Sequence, residues 1–211
     1  MVRHRPDFVK EETMKKVFAM LAAFALEAAS AWAGGGLGFF GTYLDSKDPG
    51  TAYGGGAKLQ FFLGDYVTLE TRGSYLTQFE TGGDGVQVRF EDLVLIPAEV
   101  DLLLTLPVGE GPVTLYAGGG GGYYFIPEYD LVESAGPGGT HQYDLEDTLG
   151  FFGLGGIEIA LSDSASLFVE GQYRFLEVKS AEVDGAEVDF AGDSTVDFTG
   201  ISGNAGLLIR F

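Results

Sequence analysis

The side chains of this 211-residue chain best suited to ionic, acid–base or metal chemistry are its acids. There are 31 Asp and Glu against 12 Lys and Arg, with 2 His, for a formal charge of −19. Their positions divide them into two sets. In the first, Lys58, Gln60, Glu70, Arg72, Glu99, Asp101, Glu158, Glu170, Gln172, Arg174 and Asn204 fall at alternate positions within otherwise apolar runs. Both signs recur at similar depth in neighbouring runs. Because an enclosed, unpaired charge is costly, the pattern predicts a salt-bridged network around Lys58, Glu70, Arg72, Glu170 and Arg174. In the second set, Glu128, Asp130, Glu133, Asp144, Glu146 and Asp147 cluster in one long polar segment, and Glu182, Asp184, Glu187, Asp189, Asp193 and Asp197 in another. Oxygen ligands at that density can hold Ca²⁺ or Mg²⁺. Neither segment has EF-hand spacing, so both read as solvated, mutually repelling surface, with divalent ions left to bridge them to external phosphates.

Catalytic chemistry finds less support. A hydrolase of the usual kind needs a His beside a nucleophile or an acid. His141, within Gly139-Thr140-His141-Gln142-Tyr143, is the one histidine after the N-terminal region and has no Ser or carboxylate motif around it. No catalytic residue is expected. Gly118 to Gly122 is the one glycine run that suggests a phosphate cradle, but it lacks the following Lys-Ser/Thr and does not open a helix. No cofactor is expected. With no cysteine there is neither a disulfide framework nor a thiolate metal site, and no metal site is expected. The strong negative charge excludes nucleic acid as a partner, since a phosphate backbone is bound through clustered Lys and Arg.

Something must hold the first set of ions in place. Residues 1–33 read as an N-terminal extension and cleavable signal peptide: Lys15 and Lys16 precede the apolar run Val17 to Leu26, and Ala31-Trp32-Ala33 supplies a small-residue cleavage site. That run is shorter than the roughly 20 apolar residues an anchor helix needs and is followed by Glu27. Residues 34–211 then carry 7 Lys and Arg against 27 Asp and Glu. They contain no run long enough for a transmembrane helix. Membrane residence of this part therefore requires a closed barrel, in which every backbone group is paired between strands.

Residues 34–211 show period-two alternation in eight runs: 35–44, 52–62, 66–79, 88–105, 113–125, 148–160, 165–178 and 199–211. An even count suits a bacterial barrel. The connections Leu63 to Asp65, Pro107 to Pro112 and Ser162 to Ser164 are short, whereas 80–87, 126–147 and 179–198 are long and polar; only 45–51 breaks the contrast. Short turns face the periplasm and long loops face outward in such barrels. Each odd run carries Gly-x-Tyr, ending in Tyr43, Tyr75, Tyr123 and Tyr173. In the seventh run Leu167, Val169, Gly171, Tyr173 and Phe175 share one uncharged face, and Phe168, Glu170, Gln172, Arg174 and Leu176 share the other. If the uncharged face meets lipid, the four tyrosines form an outer aromatic belt, with Phe61 and Phe211 marking an inner one. The fold expected is all-β: an eight-stranded antiparallel up-and-down transmembrane barrel. A soluble lipocalin-like barrel, the competing architecture, would leave the tyrosine row in water, an aggregation liability. An eight-stranded lumen is just wide enough for side chains to fill. The ionic set is thus expected to plug it, the competing possibility being a gate that opens a narrow cation-preferring path.

Three stretches carry a family resemblance: Pro112 to Gly120, Gly155 to Leu161 leading into Leu167 to Phe175, and the C-terminal run. The chain resembles the OmpA-like small outer-membrane β-barrels across essentially 34–211. The resemblance implies residence in the outer membrane and contact with its lipid and lipopolysaccharide. It also implies recognition by the barrel-assembly machinery through the C-terminal face bearing Leu207, Ile209 and Phe211. Function is less constrained, because members include anchoring, adhesive, protective and channel proteins, and outer-membrane barrels also include lipid A-modifying enzymes.

Overall fold

Alternation between apolar and polar side chains drives the architecture, since each strand buries one face and must present the other to an apolar surrounding. A computed structural model describes residues 34–80, 89–90, 93–126, 143–145, 147–178, 180–183, 186–189 and 196–211. The leader expected over 1–33 lies outside the described residues. Eight long strands are β1 (Gly35–Ser46), β2 (Thr51–Phe62), β3 (Val67–Glu80), β4 (Ile96–Pro107), β5 (Val113–Phe125), β6 (Thr148–Ser162), β7 (Ala165–Phe175) and β8 (Gly200–Arg210). Each pairs antiparallel with its sequence neighbours, and β8 pairs with β1 to close the barrel. Beyond the barrel rim, short strands Tyr143–Leu145, Ser180–Val183 and Ala186–Asp189 form a three-stranded sheet. Among the described residues no helix is long and apolar enough to cross a membrane.

The pairing register fixes the barrel's dimensions. Starting at Gly35 and stepping strand to strand through Phe61, Leu69, Leu102, Gly119, Gly153, Tyr173 and Ile201, one circuit returns to β1 at Asp45. The stagger is therefore ten residues. With about 3.3 Å per residue and about 4.8 Å between strands, this tilts the strands by about 40° and makes the backbone cylinder about 16 Å across. On β7 the outward face is uncharged from Leu167 to Phe175, which at that tilt spans about 20 Å, close to the roughly 25 Å apolar band of an outer-membrane barrel. Glu177 and Asp163 lie just beyond its two ends, both exposed.

Two strand boundaries differ from the alternation pattern by three residues or more. The fourth run, expected over 88–105, becomes a barrel strand only at Ile96; Leu95 makes an isolated bridge to Leu76, and Arg89–Phe90 pairs separately with Phe79 and Glu80. A bulge in the facing strand accompanies the shift. Thr51 pairs with Glu80 but Tyr53 with Thr77, so β3 carries an extra residue there and Phe79 turns inward. The seventh run, expected to 178, is interrupted at Leu176, whose N–H donates to Thr199 Oγ1 instead of to a ladder carbonyl. Pairing resumes between Glu177–Val178 and Val196–Asp197.

The glycine run in β5 has a steric cause. A Cβ on Gly118 or Gly120 would lie 2.0 Å from the Leu102 carbonyl oxygen or 1.9 Å from that of Val100. The β4–β5 pairing brings those carbonyls to where an inward side chain would start, so only glycine fits. This leaves β5 without lumen side chains between Tyr116 and Tyr124.

Candidate functional site

The lumen is layered. At the loop end Leu44, Ala52, Leu76, Phe79, Leu93, Leu95, Tyr124, Ile126, Leu176, Val178 and Phe198 form one buried apolar cluster. Toward the opposite end lie two smaller clusters, Leu103, Tyr116, Phe152 and Leu154, and Phe40, Phe168 and Leu208. The ionic residues sit between and beside them.

Alternation places every member of the first ionic set inside: Lys58, Gln60, Glu70, Arg72, Glu99, Asp101, Glu158, Glu170, Gln172, Arg174 and Asn204 are all buried. In the central tier, Lys58 Nζ lies 3.2 Å from carboxylate oxygens of both Glu70 and Glu170. The Arg72 guanidinium bridges the same two carboxylates through separate nitrogens. Gln60 donates to Glu70 at 2.7 Å, and Asn204 and the Tyr116 hydroxyl donate to Glu170 at 2.9 and 3.0 Å. Lys58 also stands 3.7 Å over the centre of the Phe168 ring, a contact that favours the cation further. Nearer the loops, Glu99 accepts from Arg174 Nη2 at 3.1 Å, Gln172 at 3.1 Å and the Tyr124 hydroxyl at 2.7 Å. At the opposite end Glu158 pairs with Arg210. Asp101 differs from the rest: among the described residues its one ion-pair contact is Arg72 Nε at 3.4 Å, and neither of its oxygens has a hydrogen-bond partner.

Three participants were not in the ionic set read from the sequence: Tyr116, Tyr124 and Arg210. All share the inward parity of their strands, and parity alone could have found them. Tyr124 was overshadowed by its neighbour Tyr123, which carries the Gly-x-Tyr repeat. Arg174, expected beside Lys58 and Arg72, instead holds Glu99 in the tier above.

On the outer surface Tyr43, Tyr75, Tyr123 and Tyr173 are all exposed, as is Tyr53, whose ring lies 5.2 Å from that of Tyr43. Leu207, Ile209 and Phe211 are exposed along one face of the last strand. Of the two residues expected to mark the inner belt, Phe211 is 63% exposed but Phe61 only 3%. Phe61 is therefore covered and does not present a ring to lipid. His141, with Glu128, Asp130, Glu133, Glu146, Asp184 and Asp193 of the acidic segments, lies outside the described residues. Among those described, no group of three or more His, Cys, Asp or Glu is placed to hold a metal ion.

A closed eight-stranded barrel with an apolar outer band, aromatic residues at its loop-side edge and an ionic interior has the architecture of a transmembrane β-barrel. Residues 17–210 match the outer membrane protein beta-barrel domain, and the chain belongs to that family of the bacterial outer membrane. Among proteins of curated function none matches the sequence. Among solved structures, Neisserial surface protein A superposes with a TM-score of 0.53 at 12% identity, over 83% of this chain and 95% of that one. The outer membrane protein AlkL, solved in lipid bilayers, gives 0.52 at 12% identity over 85% and 90%. The N-terminal barrel of Pseudomonas aeruginosa OprF gives 0.48 at 11% identity over 85% and 98%. At these identities the first two establish a shared fold and nothing finer.

Proposed function

We propose that this protein is a closed, non-enzymatic outer-membrane anchor that displays acidic surface loops, with a role in envelope integrity or surface interaction. The observation that carries this reading is the central tier. Lys58 from β2, Glu70 and Arg72 from β3 and Glu170 from β7 meet across the lumen with side chains at most 2% exposed. An apolar cluster lies above them and two more lie toward the other end. Ions crossing such a lumen would have to displace partners from a paired, desolvated network, which is expensive. On this reading the loops face lipopolysaccharide and the medium, and divalent ions bridge their carboxylates to lipid phosphates. The Leu207, Ile209 and Phe211 face serves recognition by the barrel-assembly machinery.

Planar-bilayer recording of refolded protein tests the anchor reading. No stable unitary conductance is expected. Steady cation-selective openings altered by Arg72→Ala or Arg174→Ala would instead establish the narrow channel, a reading that draws on the excess of lumen carboxyls. Enzymatic modification of lipid A is tested by comparing lipid A mass in cells expressing wild type and His141→Ala. Identical spectra, both matching those of cells lacking the protein, are expected.

A further inference from the structure

We infer that Asp101 holds a proton in the sealed lumen, so that the ionic core is also a proton-binding site. The argument begins with a charge imbalance. Among the described buried residues, Lys58, Arg72 and Arg174 face Glu70, Glu99, Asp101 and Glu170, while Glu158 is matched by Arg210 at the periphery. One carboxyl is left without a compensating cation, and in an enclosed site such a group is neutralised instead of being buried as an ion.

Geometry identifies which one. Glu70 is met by Lys58, Arg72 and Gln60, and Glu170 by Lys58, Arg72, Tyr116 and Asn204. Glu99 is met by Arg174, Gln172 and Tyr124. Asp101 has a side chain with no exposed surface and neither oxygen in a hydrogen bond. Its cationic neighbour, Arg72, already gives two of its nitrogens to Glu70 and Glu170. On one side the register sets Asp101 directly opposite Glu70, a like-charge juxtaposition that is unfavourable if both are ionised. On the other side it is paired with Gly120, where β5 presents backbone and no donor side chain.

The groups facing this part of the lumen are Lys58 from β2, Glu70 and Arg72 from β3, Glu99 from β4, Tyr116 and Tyr124 from β5, Glu170 and Arg174 from β7, and Asn204 from β8. β6 contributes the Phe152 ring, below the Arg72 guanidinium. None of the donors bonds Asp101: Arg72 Nε, 3.4 Å away, and Arg174 Nη1 are left without acceptors, and Asn204 Oδ1 is left without a donor. A protonated Asp101 removes the excess charge and converts an unfilled acceptor into a donor. This inference rests on a sealed lumen, but infrared spectroscopy reports the proton whether or not the barrel conducts.

The test is infrared spectroscopy of the refolded full barrel in lipid at pH 7. A carboxylic-acid C=O stretch is expected in wild type, retained in Glu158→Gln and absent in Asp101→Asn. No such band in wild type, or one that survives Asp101→Asn, overturns the proposal. Urea unfolding of the same proteins gives a second reading. Asp101→Asn, which mimics the neutral acid, is expected to keep the wild-type midpoint, while Glu70→Gln lowers it. A fall in Asp101→Asn as large as that in Glu70→Gln would mean that Asp101 serves as an ionised partner of Arg72. Replacing sodium with a bulky organic cation is expected to leave the wild-type midpoint unchanged; a sodium-dependent midpoint would assign the compensating charge to a metal cation and overturn the proton.

Discussion

Substituting Arg72 with methionine probes the central tier most directly, because the guanidinium is 2% exposed and bonds two carboxylates from different strands. Removing one partner of a buried ion pair costs about 3–5 kcal/mol, since the other charge is left uncompensated. Here the loss is moderated: Lys58 stays 3.2 Å from both Glu70 and Glu170, so neither is wholly abandoned. The expected cost is at the lower end, about 3 kcal/mol, roughly a hundredfold in the folding equilibrium. Glu170→Gln in the Arg72→Met background should recover part of it, with a coupling of at least about 1 kcal/mol between the two positions. Urea titration of protein refolded in micelles, read by the gel shift between folded and boiled forms, measures both. The only tryptophan, Trp32, lies in the expected leader, so indole fluorescence would not report on a processed barrel. A cost below about 1 kcal/mol, or strict additivity of the two substitutions, would mean that the network is hydrated and contributes through solvent instead of direct pairing.

Gly120→Ala should prevent refolding or shift the β4–β5 pairing, because the new Cβ would meet the Val100 carbonyl at 1.9 Å. Gly171→Ala, with nothing within 4 Å of its Cβ position, should stay within about 0.5 kcal/mol of wild type; comparable effects at both sites would contradict the steric account. Lysine at Val169, on the outward face near mid-band, should cost about 2–4 kcal/mol in lipid, whereas Glu177→Lys beyond the band should cost little; refolding yield into vesicles separates them. At the rim, Asp197 accepts from Lys47 at 2.6 Å. Desolvation raises its pKa, but the hydrogen bonds from Lys47 and Thr199 outweigh this and hold it below the ordinary 3.8. A depressed carboxyl stabilises the fold above its unfolded value and loses that contribution as pH falls through the folded one. Amide exchange at Lys47 and Thr199 should therefore accelerate only below about pH 4, and Asp197→Asn should abolish the pH dependence while costing less than about 1 kcal/mol.

Strand number, the two faces of each strand and the contrast between short turns and long loops were all legible in the sequence. Period-two alternation is a local property: Glu170, Gln172 and Arg174 must share a side whatever they face. Parity therefore separated the ionic residues from Tyr43, Tyr75, Tyr123 and Tyr173 before any pairing was known, and setting the uncharged face against lipid then put the ions inside. Partnership is not local. Arg72 sits directly opposite Glu99 in the β3–β4 register, yet Glu99 is taken by Arg174, Gln172 and Tyr124 from β7 and β5, and Arg72 reaches Glu170 across the lumen. Those choices follow from the ten-residue stagger and the narrow cylinder it produces, which set the height at which each inward side chain enters the lumen. The bulge that turns Phe79 inward belongs to the β2–β3 register, and the isolation of Asp101 to its place between Glu70 and Gly120. Both depend on which residues of a neighbouring strand arrive at one level, and a single strand's alternation carries no information about that level.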